Sequence, residues 1–194
     1  MIRGRGLEKR YGRKRVLRGL DIGVASGDFT VVTGPNGSGK TTLLRLLAGL
    51  ATPTRGELVV EVDRSHVGYL AHEPLVYREL TAVENLDLFG RLYRVRERRE
   101  RIGMLLERFS LWDARNERVS AYSRGMAQRL ALCRALLHDP ALLVLDEPYS
   151  ALDEEGAALL DRELEALVGE RTMVVATHDP GRLASFQTAT LALA

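Results

Sequence analysis

The chain has 194 residues, of which 45% are hydrophobic and 28% charged, with a formal net charge of +2. That length suits one domain with its own core, and the composition excludes a mainly disordered state. The balanced charge argues against a nucleic-acid surface, so no nucleic acid is expected as a partner.

In chain order, the stretch from Leu7 to about Thr33 predicts short strands, ending in the β-branched run Phe29–Thr33 between glycines. A glycine-rich turn follows, then a buried helix over Thr41–Leu50. Glu57–Val62 and Val67–Leu70 are further strands. The period then becomes helical. Thr81 with Glu84 three residues on is a capping box, opening a helix that carries Val83, Leu86, Phe89, Leu92 and Tyr93. Ile102, Leu105, Leu106 and Phe109 mark a second helix. Ser123 opens a third, and Asp139-Pro140 stops it. Strands return at Leu142–Leu145 and Thr172–Ala176, separated by an amphipathic helix over Glu154–Val168, and Leu191–Leu193 is a last edge strand. The order predicts a single α/β domain over residues 1–194, with a helical block at about 72–140 inserted in it.

No apolar run approaches the roughly 20 residues of a membrane span, and no apolar segment follows the basic N-terminus. A lone Cys133 excludes an internal disulfide and a cysteine zinc cluster. A cytoplasmic protein is expected. The arginine-rich stretch Arg91–Arg101 is expected to be a solvated helix face, with an acidic partner or lipid head groups as the functional alternative.

Gly34-Pro35-Asn36-Gly37-Ser38-Gly39-Lys40-Thr41 fits G-x-x-x-x-G-K-[ST], with a strand before it and a helix after it. Its glycines let successive backbone N–H groups aim at one point, and the helix adds its positive end. Lysine occurs only at 9, 14 and 40, against 25 arginines, which makes Lys40 conspicuous. Lys40 is expected on the β- and γ-phosphates of a nucleotide and Thr41 on Mg²⁺. Asp146 ends the apolar strand Leu142–Leu145, where ligands sit in open α/β sheets, and is expected to hold the Mg²⁺. Glu147, one position on, is placed to activate a water.

Together these pieces resemble the ATP-binding-cassette (ABC) ATPases. Tyr122-Ser123-Arg124-Gly125-Met126-Ala127-Gln128-Arg129 matches the family's L-S-G-G-Q-x-Q-R signature at Ser123, Gly125, Gln128 and Arg129, and departs from it at Tyr122, Arg124 and Met126. Ser150-Ala151-Leu152-Asp153 resembles the family's D-loop, His178 its switch histidine and Tyr11 its adenine-stacking aromatic. The resemblance implies a P-loop ATPase core with an N-terminal antiparallel β subdomain and an inserted helical subdomain. It implies ATP and Mg²⁺ as ligands, with Glu147, His178 and Lys40 catalytic and Thr41, Asp146 and His72 at the metal. It places Tyr11, Val16, Gly34 to Thr42, His72, Ser123, Gly125 and Asp153 around ATP. It also implies a head-to-tail homodimer, in which Ser123 and Gly125 of one copy cover the ATP held by Lys40 of the other. Membrane transporter subunits are the expected partners, with this chain peripheral on the cytoplasmic face.

His72 stands where the family usually has glutamine. With the stretch Glu79-Leu80-Thr81-Ala82-Val83-Glu84-Asn85-Leu86, it is similar to the ATP-binding subunit of the haem exporter in cytochrome c maturation. The alternatives are the ATPase of another exporter, for drugs, lipids or polysaccharide, and a soluble cassette ATPase outside transport.

Overall fold

The computed structural model describes residues 1–193. Two sheets organise them. The first is antiparallel and built from β1 (Ile2–Tyr11), β2 (Lys14–Val24) and β4 (Arg55–Val60), in the order β2-β1-β4. Its first two strands are long, where the sequence predicts short ones. Register shifts between Gly4 and Leu7 and between Lys9 and Arg10 let them bend without ending. The glycines and charges that interrupt the apolar pattern therefore mark bulges and an exposed face, not strand ends.

The second sheet is parallel. It contains β3 (Phe29–Thr33), β5 (Val67–Leu70), β6 (Leu142–Asp146), β7 (Thr172–Ala176) and the edge strand β8 (Ala189–Ala192), in the order β5-β6-β7-β3-β8. β6 and β7 are buried throughout, which explains their continuous apolar runs. Alternate residues serve opposite faces. Val31, Leu143, Leu145 and Val175 join the core under the helical block. Val32, Val144, Val174 and Ala176 join the core shared with α1 (Lys40–Leu47) and the antiparallel sheet.

Between β5 and β6 lie α2 (Ala82–Leu92), α3 (Arg98–Arg108) and α4 (Arg124–Leu136). α5 (Glu154–Leu167) joins β6 to β7. The capping box at Thr81 is present in both directions, with Glu84 N–H donating to Thr81 Oγ1 at 3.2 Å and Thr81 N–H donating to Glu84 Oε2 at 2.8 Å. Such a cap is worth about 1 kcal/mol. Arg91–Arg101 is not the single helix face expected from its charge. α2 stops at Leu92, and Arg94 (φ 56°) and Glu97 (φ 48°) turn the chain through left-handed backbone before α3 begins. α1 likewise ends at Leu47 rather than Leu50, and β4 starts at Arg55.

The register positions the site. Val32 pairs with Ala176, and Ala176 pairs with Asp146, so β3, β7 and β6 end side by side. The segments that follow them, 34–39, 177–178 and 147–150, therefore meet at one edge of the sheet. Ligands of open α/β sheets bind at that edge.

Candidate functional site

A cleft of about 700 Å³ opens at that edge, lined by residues from β1–β2, the 34–42 segment, the loop after β5, the end of β6 and His178. At its floor, Gly39 (φ 107°) begins α1. A Cβ there would lie 2.9 Å from Leu17 Cδ2 and 3.1 Å from Val16 Cγ1, so backbone angle and space both require glycine. Lys40 is buried, and its ammonium donates to the carbonyls of Gly34 at 2.7 Å and Pro35 at 3.4 Å. The loop is thus closed on its own lysine, whose ammonium donates to two loop carbonyls. Ser38 Oγ is buried without a partner, a polar atom that phosphate oxygens would satisfy.

Asp146, 1% exposed at the end of β6, has its Oδ2 buried and unpartnered. Burial pushes its carboxyl above the usual carboxylate range, and hydrogen bonding to Thr41 opposes that shift. A buried carboxylate oxygen without a donor, beside a threonine hydroxyl, fits a hard divalent cation with oxygen ligands. No cluster of three or more His, Cys, Asp or Glu exists among the described residues to hold a metal alone, so such a cation would draw its remaining ligands from water and phosphate.

Glu147 takes left-handed backbone (φ 50°), a strained conformation for a non-glycine residue. Its N–H donates to Ala176 O at 2.9 Å, which fixes the turn across β7. Its Oε2 accepts the His178 backbone N–H at 3.2 Å and lies 2.7 Å from His178 Nδ1. The carboxylate and imidazole thus form one unit at the cleft wall, with Glu147 mostly covered and His178 open to solvent.

Tyr11, Val16, Asn36, Gly37, Gly39, Lys40, Thr41, Thr42, His72, Asp146, Glu147 and His178 all line this cleft. Tyr11 is 48% exposed at the end of β1, with Lys9 Nζ 5.2 Å from its ring centre. His72 also lines a second cleft of about 620 Å³, formed with Ser123, Arg124 and Ala151. Its loop is held by Arg134, which donates to Tyr69 O at 2.9 Å and Leu75 O at 2.5 Å.

Six expected site residues do not line the Lys40 cleft: Gly34, Pro35 and Ser38 lie in the loop beneath it, and Ser123, Gly125 and Asp153 lie elsewhere in the chain. Ser123 caps α4, accepting from Met126 N–H at 3.1 Å. Gly125 packs so closely that an added Cβ would meet Ala151 O at 3.0 Å. Asp153 caps α5, accepting from Gly156 N–H at 2.8 Å. Conversely, Lys14 and Ser150 line the cleft without being expected there. Lys14 could have been found from its place across the β1–β2 hairpin from Tyr11, its pairing partner.

Comparison with known proteins decides the family. The sequence pattern described as "ABC transporter" matches residues 17–150. The chain belongs to the ABC transporter family. This ABC chain is 42% identical over 183 residues to the daunorubicin resistance ATP-binding protein DrrA3 of Streptomyces coeruleorubidus, covering 89% of the chain and 58% of that relative. It is 38% identical over 182 residues to the Nod factor export ATP-binding protein I of Rhizobium meliloti (strain 1021), covering 88% of the chain and 54% of that relative. The ABC chain thus spans between half and three fifths of the length of these curated relatives. Its fold matches the dimeric ATP-binding cassette MJ0796, in a post-hydrolysis state bound to ADP and Pi, with TM-score 0.88 and 29% identity over 100% of this chain and 94% of that one. No helix among the described residues is long and apolar enough to cross a membrane.

Proposed function

We propose that this ABC cassette binds and hydrolyses ATP as a head-to-tail pair of copies and drives membrane subunits of an exporter. The observation that carries the reading is the single cleft that joins Lys40, the orphan oxygen of Asp146 and the Glu147–His178 unit. Lys40 exchanges its loop carbonyls for phosphate oxygens. Asp146 and Thr41 would hold Mg²⁺, with His72 in the same cleft lining, and the ion would there neutralise phosphate charge. Glu147 takes up a proton from the attacking water, and His178 orients that carboxylate through the 2.7 Å contact. Tyr11 and Val16 supply the surface for the base, with stacking on an aromatic worth about 1–3 kcal/mol.

The pairing of copies follows from what one copy lacks. Ser123, Gly125 and Asp153 lie outside its own Lys40 cleft, so they complete the site of a second copy. The α4 N-terminus then faces the γ-phosphate with its positive end. The dimeric state of MJ0796 supports this arrangement. The whole chain serves as one nucleotide-binding domain, with the 72–140 block as its helical subdomain, at the cytoplasmic face of the membrane. Leu50, Leu75 and Tyr93, all exposed, share a groove with Phe89 and Arg134, which offers the membrane subunit an apolar seat.

For cargo, the drug-resistance and Nod factor export relatives support export of an organic small molecule. Haem export, expected from His72 and residues 79–86, has no support from these relatives and rests on those residues alone. Glu147→Gln is expected to bind ATP yet barely turn it over, and near-normal turnover overturns the role of Glu147. Capture of this ATP-trapped variant from detergent-solubilised membranes identifies the partner. A haem-handling partner would restore the haem reading, and a permease for another small molecule would remove it.

A further inference from the structure

Away from both the Lys40 and the Ser123 clefts, a third, polar cleft of about 550 Å³ lies where the turn between α2 and α3 faces the end of α4. Arg94, Arg96 and Arg101 line it, with His66, His138 and Asp139. Its charge is one-sided. The only carboxylate in its lining, Asp139, is bonded by Arg171 at 2.9 and 3.0 Å and lies 4.0 Å from Arg101, so it offsets only part of the charge of Arg94, Arg96 and Arg101. Arg94 and Arg96 have no carboxylate within ion-pair distance among the described residues, unlike Arg91 and Arg98, which share Asp87. Arg101 donates to Leu136 O at 3.0 Å, and its Nε is buried with no acceptor.

The walls are fixed. Tyr93 stacks on His138 with ring centres 4.0 Å apart and planes 6° from parallel. His138 Nε2 lies 3.2 Å from Val67 O, and burial keeps its pKa low, so the ring is neutral and donates from Nε2. Its buried Nδ1 is then an acceptor without a donor. Arg94 (φ 56°) and Asp139 (φ 52°) both stand in left-handed backbone, a conformation that persists where surrounding structure imposes it and that gathers at ligand clamps.

We infer that this cleft binds a phosphate group carried by a hydroxyl-bearing molecule, either a soluble phosphate or an anionic lipid head group. The guanidinium groups of Arg94, Arg96 and Arg101 take the phosphate oxygens, which is the geometry arginine supplies best. His138 Nδ1 accepts from the hydroxyl. Arg101 and His138, whose Nε and Nδ1 have no partner, both line the cleft that this ligand fills.

The test uses the full chain with its nucleotide cleft filled by a non-hydrolysable ATP analogue, whose γ-phosphate occupies the place free phosphate takes beside ADP, so that added phosphate reports the arginine cleft. Inorganic phosphate is titrated while the Arg101 Nε–H and His138 ring resonances are followed by NMR. In parallel, the chain is sedimented with vesicles of phosphatidylcholine alone or with one-third phosphatidylglycerol. Each arm is repeated with Arg94→Gln/Arg96→Gln. Both side chains are exposed and make no hydrogen bond among the described residues, so the fold and the affinity for the analogue stay as they were. Resonance shifts that vanish in the variant assign a soluble phosphate. Binding to phosphatidylglycerol vesicles that falls about 30-fold in the variant, the share of two membrane-surface arginines, assigns a lipid. No response in either arm overturns the proposal. So does binding of polyglutamate without binding of phosphate or vesicles, which would make the cleft a seat for an acidic protein.

Discussion

Asp161→Ala tests how the Glu147–His178 unit is held. Asp161, on α5, accepts Tyr149 O–H at 2.6 Å and pairs with Arg182 at 2.6 Å, and Arg182 lies 4.6 Å from the Tyr149 ring centre. Tyr149 follows Glu147 by two residues and Arg182 follows His178 by four, so the two catalytic segments are tied together again beyond their own contact. The Arg182–Asp161 pair is a third or more exposed on both sides and is worth at most about 1 kcal/mol. The half-buried phenol bonded to a carboxylate adds about 1.5 kcal/mol. Loss of Asp161 is therefore expected to cost about 2 kcal/mol, or about 4–8 °C in Tm for a chain of this size. Urea unfolding of Asp161→Ala, Tyr149→Phe and the double variant measures the coupling, expected at about 1 kcal/mol. ATP turnover is expected to fall while ATP affinity holds, because the displaced pair meets only the reacting water. Strict additivity, or a cost below about 0.5 kcal/mol, refutes the idea of a clamp.

Thr81→Ala removes one half of the capping box and is expected to lower stability by about 1 kcal/mol in urea unfolding, with ATP binding unchanged. Asp146 has a folded pKa raised by burial, so the folded state holds its proton to higher pH than the unfolded chain does. Its contribution to the nucleotide-free protein falls as pH rises from the ordinary aspartate pKa through the raised one. Measured against Asp146→Asn, the wild type should lose stability across that window, and Mg²⁺-ADP should remove the difference. Cys133 is fully buried, and burial pushes its thiol pKa well up. It is expected to resist alkylation until the chain unfolds, so rapid modification of the native protein would contradict its place in the core.

What the sequence showed clearly was local chemistry. The phosphate loop, the Thr81–Glu84 box, the Ser123 cap and the buried strands β6 and β7 each involve neighbours in sequence, and each was legible from residue type and spacing. Long-range geometry was not. The bulges that keep β1 and β2 continuous across their glycines depend on pairing between strands. The break in Arg91–Arg101 depends on two non-glycine residues accepting left-handed backbone, which no propensity signals. The Tyr149–Asp161–Arg182 cluster joins three separate elements, and only the parallel register brings them together. Ser123, Gly125 and Asp153 were legible as motif positions, and the resemblance already set Ser123 and Gly125 against the ATP of a second copy; that Asp153 also lies outside the chain's own Lys40 cleft emerged only from the fold.

The central claim is that each ATP site is completed by a second copy. Lys40→Ala should lack ATP binding, and Ser123→Arg should bind ATP without hydrolysing it, so each alone is inactive. In a one-to-one mixture, half of the pairs join one copy of each and contain one intact site, formed by Lys40 of one copy and Ser123 of its partner. About a quarter of the wild-type turnover should return. A mixture no more active than either variant alone would contradict the shared site.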